Sequence, residues 1–224
     1  MVRIVFVADT HSQLNMIKYK IPESDMIIHA GDWTYRGTTE EYVKEIDIFN
    51  SLPHKYKVGI LGNHDRLGEK YGMEYVKNLS NDTIILQNES VSIEGIKIYG
   101  SASTPWFHSW GFNIRGYDNL AAEWAKIPDD TELLITHGPP HGVLDKNLKG
   151  QNCGCEAMWA RLHHLPDLRI HAFGHIHHEA GAMYYPSMDR LFVNASICNE
   201  QYYPNNMPIV IDYDPITKII SQVE

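Results

Sequence analysis

Five apolar runs of this chain each end on side chains able to bind a divalent metal ion. Val2-Arg3-Ile4-Val5-Phe6-Val7-Ala8 leads into Asp9, with His11 two residues on. Met26-Ile27-Ile28-His29-Ala30-Gly31 leads into Asp32, and Val58-Gly59-Ile60-Leu61-Gly62 leads into Asn63, His64 and Asp65. Leu133-Leu134-Ile135-Thr136 leads into His137, and Ile170-His171-Ala172-Phe173-Gly174 leads into His175, with His177 beyond it. Carboxylate, amide and imidazole donors without a thiolate set suit Mn, Fe, Zn or Ni, with nothing to select zinc alone. A carboxylate such as Asp32 can bridge two ions. Two ions about 3.5–4 Å apart can clamp the attacking and leaving oxygens of an in-line displacement. The chemistry this set points to is metal-assisted phosphoester hydrolysis.

Short apolar runs of this kind read as buried strands. In open α/β sheets, ligands collect beyond the carboxyl ends of the strands. Aligned strands would therefore gather the donors along one sheet edge. Asp9-x-His11 and His175-x-His177 are each expected to lie extended, with both side chains on one face, because strand side chains alternate. Glycines at 31, 62, 138 and 174 flank donor positions and leave the backbone free to turn tightly near a phosphate.

The intervening sequence supplies helices. Thr38 to Leu52 is the clearest: a threonine cap, Glu40 and Glu41 in the first turn, an apolar stripe of Tyr42, Val43, Ile46 and Phe49, and Pro53 as a stop. Shorter helices are expected over 12–20, 71–80, 118–126 and 156–165. Residues 83–86, 90–93 and 97–99 read as short strands, with Glu94-Gly95 a hairpin turn. The stretches 191–194, 208–212 and 219–223 read as strands too. Strand and helix alternate early and strand dominates late, which argues for an α/β fold whose sheets are not purely parallel. With 224 residues and no linker-like tract or repeat, one domain spanning 1–224 is the expectation.

Composition narrows the partners. Hydrophobic residues are 43%, charged residues 21%, and the formal net charge is -9. An acidic chain is a poor candidate for holding long nucleic acid, which needs lysine and arginine along the phosphates. No apolar segment reaches transmembrane length, so no membrane partner is expected. The stretch from Met1 to Asp9 is too short for a signal peptide. Cys153, Cys155 and Cys198 make no disulfide framework, and a cytoplasmic location is the simplest expectation. The spacing leaves the oligomeric state open.

Taken in order, Asp9-x-His11, Gly31-Asp32, Gly62-Asn63-His64-Asp65, His137-Gly138 and Gly174-His175-Ile176-His177 resemble the calcineurin-like metallophosphoesterase superfamily. Gly100-Ser101, Thr104-Pro105-Trp106-Phe107, Trp110-Gly111-Phe112-Asn113, His137-Gly138-Pro139-Pro140 and Phe192-Val193-Asn194-Ala195-Ser196 further resemble its metallophosphoesterase-domain-containing phosphodiesterases, known from animal brain and with microbial relatives. The resemblance implies a four-layer αββα sandwich, two mixed sheets face to face with helices outside. It implies one metal on Asp9, His11, Asp32 and His177, and the other on Asp32, Asn63, His137 and His175. Manganese comes first for the pair, with Fe, Zn, Ni or Co as alternatives. His64 would face the substrate, with Asp65 orienting its ring. The mechanism that follows is in-line attack on phosphorus by a hydroxide bridging the metals, with His64 donating a proton to the leaving alkoxide or stabilising charge on it.

Other residues carry weaker or competing readings. Trp106, Phe107, His108 and Trp110 offer rings that can stack on a nucleobase or fill a core. Asn63, Asn113, Arg115 and Asn152 are candidates for phosphate or ribose contacts. Arg66 pairs either with a phosphate oxygen or with Asp65. His29 and His171, inside apolar runs, read as core histidines. His163 and His164 read as surface residues, and His141 as a loop residue near a donor. An extended segment would point His178 away from His177. Cys153-x-Cys155, with no second pair, reads as structural or solvent-facing. The resemblance implies a small phosphodiester as substrate, such as 2′,3′- or 3′,5′-cyclic AMP or GMP. A phosphomonoesterase or protein phosphatase, a nuclease, and a non-catalytic binding module are the alternatives.

Overall fold

A computed structural model describes residues 1–223. Its first sheet contains β1 (Val2–Val7), β2 (Met26–Ala30), β3 (Tyr56–Ile60) and β4 (Ile84–Ile85). Its second begins with β5 (Glu89–Ile93) and β6 (Ile96–Ser101). A separate two-strand ladder joins β7 (Thr104–Pro105) to β8 (Asn113–Ile114). The second sheet continues with β9 (Leu133–Thr136), β10 (Ile170–Phe173), β11 (Gly181–Tyr185) and β12 (Arg190–Asn194). The chain then returns to the first sheet with β13 (Ile209–Asp214) and β14 (Ile219–Val223).

Strand order is β14-β13-β1-β2-β3-β4 in the first sheet and β11-β12-β10-β9-β6-β5 in the second. β1 through β4 pair in parallel, with β13 and β14 antiparallel beside them. β6, β9, β10 and β12 likewise pair in parallel, flanked by antiparallel β5 and β11. Both sheets are therefore mixed, as expected.

Alternation along the strands explains the layers. Ile4, Phe6, Ile28 and Val58 face Ile98, Leu133, Ile135 and Val193 in one core between the sheets. The alternate residues Val5, Val7 and Ile27 pack outward against α1 (Leu14–Ile17) and α2 (Thr39–Asn50). After α3 (Leu67–Tyr71) and α4 (Met73–Leu79), the helices α5 (Tyr117–Trp124) and α6 (Glu156–Leu162) cover the second sheet, on Leu134, Phe173 and Phe192. Strands buried on both faces must be apolar throughout, which is why the runs are continuous. The result is the expected αββα sandwich.

α2 is closed at its start by a capping box between Thr38 and Glu41. Glu94 and Gly95 both have positive φ, 51° and 82°, the two-residue turn that matches the twist of β5 and β6. Other boundaries moved. The expected helix over 12–20 is four α-helical residues followed by a 3₁₀ turn at Lys18–Lys20. The one over 71–80 is preceded by α3 and broken at Gly72, whose φ is 88°. β11 and the β7–β8 ladder carried no strand signal that the sequence pattern could register. Among the described residues no helix is long and apolar enough to cross a membrane.

Candidate dinuclear metal centre

The donors converge at the carboxyl ends of the parallel strands of both sheets. Asp9 and His11 follow β1, Asp32 follows β2, and Asn63 and His64 follow β3. His137 follows β9, while His175 and His177 follow β10. The sheets are stitched together there: Ala8 N donates to Ala195 O (2.8 Å) and Ile197 N to Ala8 O (2.9 Å).

The expectation that Asp9-x-His11 and His175-x-His177 lie extended is corrected. Asp9 (φ 52°), His11 (43°), Asp32 (58°) and His175 (70°) are all left-handed, and His177–Glu179 is a 3₁₀ turn. Aspartate and histidine tolerate this region better than most residues. The chain leaves each strand in a tight reversal that folds the donor back over the sheet edge. Two glycines permit the crowding. A Cβ on Gly62 would run into Asp32 and lie 2.8 Å from His137 Cε1, and one on Gly174 would run into Asp9.

Distances fall into two groups that share Asp32. His11 Nε2 lies 3.2 Å from His177 Nε2 and 3.9 Å from Asp32 Oδ2. His177 Nε2 is 3.5 Å from Asp9 Oδ1. On the other side, His137 Nε2 lies 3.3 Å from Asp32 Oδ2 and 2.8 Å from Asn63 Oδ1. His175 completes this second group, with its ring centroid 5.0 Å from that of His137. Donors on one ion bound at about 2.0–2.2 Å stand roughly 3 Å apart, so both groups are of the right size.

The orientation of each donor also fits cations. Asp9 Oδ2 accepts from His175 N (2.9 Å) and Ser196 Oγ (2.6 Å). Asp9 Oδ1 is buried with no hydrogen-bond partner among the described residues, a costly state unless a cation meets it. Asp32 Oδ1 accepts from His64 N (2.8 Å), leaving Oδ2 between the two groups. Backbone carbonyls hold the Nδ1 side of three rings: Thr34 O at 3.3 Å for His11, Ala30 O at 3.0 Å for His137, and Asn199 O at 3.0 Å for His177. That leaves each Nε2 lone pair for a metal.

The electrostatics ask for positive charge. Burial opposes ionisation of Asp9 and Asp32, yet the facing histidines hold both below the ordinary carboxylate range. Burial also opposes protonation of His137 and His177, but Asp32 and Asp9 raise each to about 9. Protons thus stand where a cation would, and metal binding would release them. His11 and His175 are lowered to about 4, first by burial.

His64 faces the cavity. Its Nδ1 lies 2.8 Å from Tyr35 O, and Trp110 stacks on its ring at 4.2 Å with 25° between planes. The expected partnership with Asp65 is corrected. The Asp65 carboxylate accepts from Trp33 N, Thr34 N, Thr34 Oγ1 and Gly62 N. It fixes the loop that carries His64 and leaves the ring to Tyr35 and Trp110. Burial, then Asp32, raises its pKa to about 6.

A cavity of about 460 Å³ opens over the donors, lined by Asp32, Asn63, His64, His175 and His177, and by Trp106, Phe107 and Trp110. Several expected substrate contacts lie elsewhere. Arg66 is exposed beside Arg36 and Lys70 in a separate surface hollow, away from Asp65. Asn113 spends its amide on Phe107 O and Trp110 O, which shapes the aromatic loop. Asn152 lines a neighbouring cavity. His108 is exposed and edges onto Phe107. Missed were Tyr202, whose ring packs 4.8 Å from His11, and Glu200, Asn147 and Cys153 in the lining. No apolar run precedes any of them, so strand-end spacing gave no signal.

The remaining readings resolve simply. His29 is neutral and buried, stacked on Trp33 at 3.6 Å, and its pKa falls to about 3 through burial. His171 is buried with Nε2 2.8 Å from Thr136 Oγ1. His163, His164 and His178 are exposed, and His141 is half-buried. Cys155 is structural: its Sγ accepts from Met158 N at the start of α6 and from Trp124 Nε1.

Comparison with known proteins agrees with this geometry. Residues 2–179 match the Calcineurin-like phosphoesterase family. The chain is 38% identical to metallophosphoesterase domain-containing protein 1 of Homo sapiens, over 94% of this chain and 70% of that protein. It is 28% identical to a 3′,5′-cyclic-nucleotide phosphodiesterase of Nostoc, over 70% of this chain and 58% of that protein. A dimetal phosphatase from Danio rerio has the same fold, with a TM-score of 0.56 at 11% identity, over 94% of this chain and 92% of that one.

Proposed function

The chain belongs to the calcineurin-like phosphoesterase family, and from that premise we propose that it is a phosphodiesterase of small nucleotides, with 2′,3′- or 3′,5′-cyclic AMP or GMP as the substrate class. The observation that carries the diester reading is the charge of the cavity. Its lining includes Asp32 and Glu200 but no lysine or arginine. A phosphomonoester is close to dianionic at neutral pH and is commonly gripped by arginine. A diester carries one negative charge and makes a smaller demand. Trp106, Phe107, Trp110 and Tyr202 offer faces on which a base can stack. The cyclic-nucleotide activity named for the Nostoc relative supports the same class.

In this reading Asp9, His11, Asp32 and His177 hold one divalent ion, and Asp32, Asn63, His137 and His175 the other. Manganese is the first candidate for both, with Fe, Zn, Ni and Co behind it. Bound there, two such ions would polarise the phosphoryl oxygens and lower the pKa of water. The rest falls to the chain. With Nδ1 committed to Tyr35 O, the Nε2 of His64 is left to hand a proton to the leaving oxygen. The aromatic wall holds the base by stacking. The test is a substrate panel on the manganese-loaded protein with an Asp32→Ala control. Cyclic nucleotides and bis-p-nitrophenyl phosphate should turn over faster than AMP and p-nitrophenyl phosphate, and the control should lose about a thousandfold or more. Faster monoester turnover contradicts the reading.

A further inference from the structure

We propose that the cleft continues past Trp106 into a second cavity, and that this cavity takes the second nucleoside of a linear, dinucleotide-sized phosphodiester. The inference rests on the diesterase reading and extends it. The second cavity is about 490 Å³, much the same size as the first, and Pro105, Trp106 and Cys153 line both. Trp106 is 47% exposed and lines both cavities, so it stands at their border.

The backbone builds that border. In the β7–β8 ladder Thr104 pairs with Asn113 and Pro105 with Ile114. Trp106 N then donates to Ile114 O (3.0 Å), which sets Trp106 beside Arg115. The Arg115 guanidinium lies 4.0 Å over the Trp106 ring. Arg115 lines the second cavity and not the first. A guanidinium plane against an indole is a stacking platform for a nucleobase. Ile114 and Leu120 give the cavity an apolar surface, and Tyr117 and Asn152 supply polar edges for a sugar or base. Glu156 lines it as well and offsets the charge of Arg115, so the cavity suits a neutral nucleoside rather than a further phosphate.

The two cavities match the two arms of a linear diester. In a cyclic mononucleotide both ester bonds close on one sugar, and one cavity holds its single base. In a linear diester the arms diverge from phosphorus, and each carries a nucleoside. A second cavity of equal size at the border of the first is where the other arm fits.

The experiment compares adenylyl-(3′→5′)-adenosine with 3′,5′-cyclic AMP on the manganese-loaded protein and its Arg115→Ala, Arg115→Lys and Tyr117→Ala variants. Both positions are exposed. Arg115→Ala should raise the ratio of KM values, dinucleotide over cyclic nucleotide, by about tenfold, the loss expected for one stacked base. Arg115→Lys should not restore it, because the charge returns without the plane. An unchanged ratio in all variants, or turnover of the cyclic nucleotide with none of the dinucleotide, overturns the second cavity's role and leaves the reading of the metal site standing. Turnover of neither substrate by the unaltered protein overturns the diesterase reading, and this inference with it.

Discussion

The metal end of the cleft and its aromatic end are built in opposite ways. At the metal end the donors sit one or a few residues past a central strand, all but the half-buried His175 and His177 are buried, and a backbone carbonyl holds each of three rings. At the aromatic end Trp106, Phe107 and Trp110 are largely exposed, on a loop between two two-residue strands. The first arrangement fixes charge in a low-dielectric pocket, where small displacements are expensive. The second offers exposed aromatic area. Under the proposed function, catalytic demands would fall on the buried end and recognition on the exposed one.

That contrast can be broken first at His64, which joins the two ends. Replacing His64 with Ala should lower turnover of cyclic nucleotides by about 10²–10⁴-fold while metal content, measured on the dialysed protein, is retained. Loss of metal instead would make His64 a ligand, which its 4.0 Å approach to Asp32 Oδ2 leaves as the rival.

Behind the metal end, Glu45 on α2 is buried, accepts from Leu14 N (3.0 Å), and has its pKa raised to about 7 by burial. An acid whose pKa is higher in the fold than in the unfolded chain binds its proton more readily when folded. Its stabilising share is full below about pH 4.5 and declines as pH rises towards about 7. Glu45→Gln keeps an acceptor and removes the charge. Its unfolding free energy, read from denaturant titration, should match the unaltered protein at pH 4.5 and exceed it at pH 8 by an amount on the order of 3 kcal/mol. Equal differences at both pH values would contradict this.

Ser196 tests how far the metal end depends on its supports. Its hydroxyl donates to Asp9 Oδ2 and lies 2.8 Å from Asn194 Oδ1. Ser196→Ala should weaken metal binding by about 10–100-fold, as loss of a group that orients a ligand does. Titration of metal-free protein with manganese reads this directly. An unchanged affinity would show that the strand crossing alone places Asp9.

The smallest effect is expected at the seam, Trp110. If its indole holds the His64 ring, Trp110→Ala should cost about tenfold in kcat on substrates with alkoxide leaving groups. It should cost less on bis-p-nitrophenyl phosphate, whose leaving group needs no proton, and Trp110→Phe should recover most of the loss. A rise in KM for nucleotides alone, with kcat unchanged, would assign Trp110 to base stacking.

The same contrast governs what the sequence discloses. Asp9, Asp32, Asn63, His137 and His175 could be singled out because each follows shortly after the end of a strand that must be apolar on both faces. Their spacing did not disclose the backbone that brings them together. Left-handed turns at Asp9, His11, Asp32 and His175 depend on contacts across both sheets. The family resemblance implied Asp65 as a partner for His64, yet its carboxylate turns to the amides of Trp33 and Thr34. Ser196 and Tyr202 reach the site only through the crossing of Ala8 and Ser196, about 190 residues apart in sequence. Such contacts leave no local pattern to read.

The central claim is a pair of ions sharing Asp32. Anomalous diffraction at the manganese edge from crystals grown with manganese tests it without reference to substrate. Two peaks about 3.5–4 Å apart, one among Asp9, His11 and His177, the other among Asn63, His137 and His175, with Asp32 reaching both, are the predicted result. One peak, or a second peak held by His64 in place of Asn63, would contradict it.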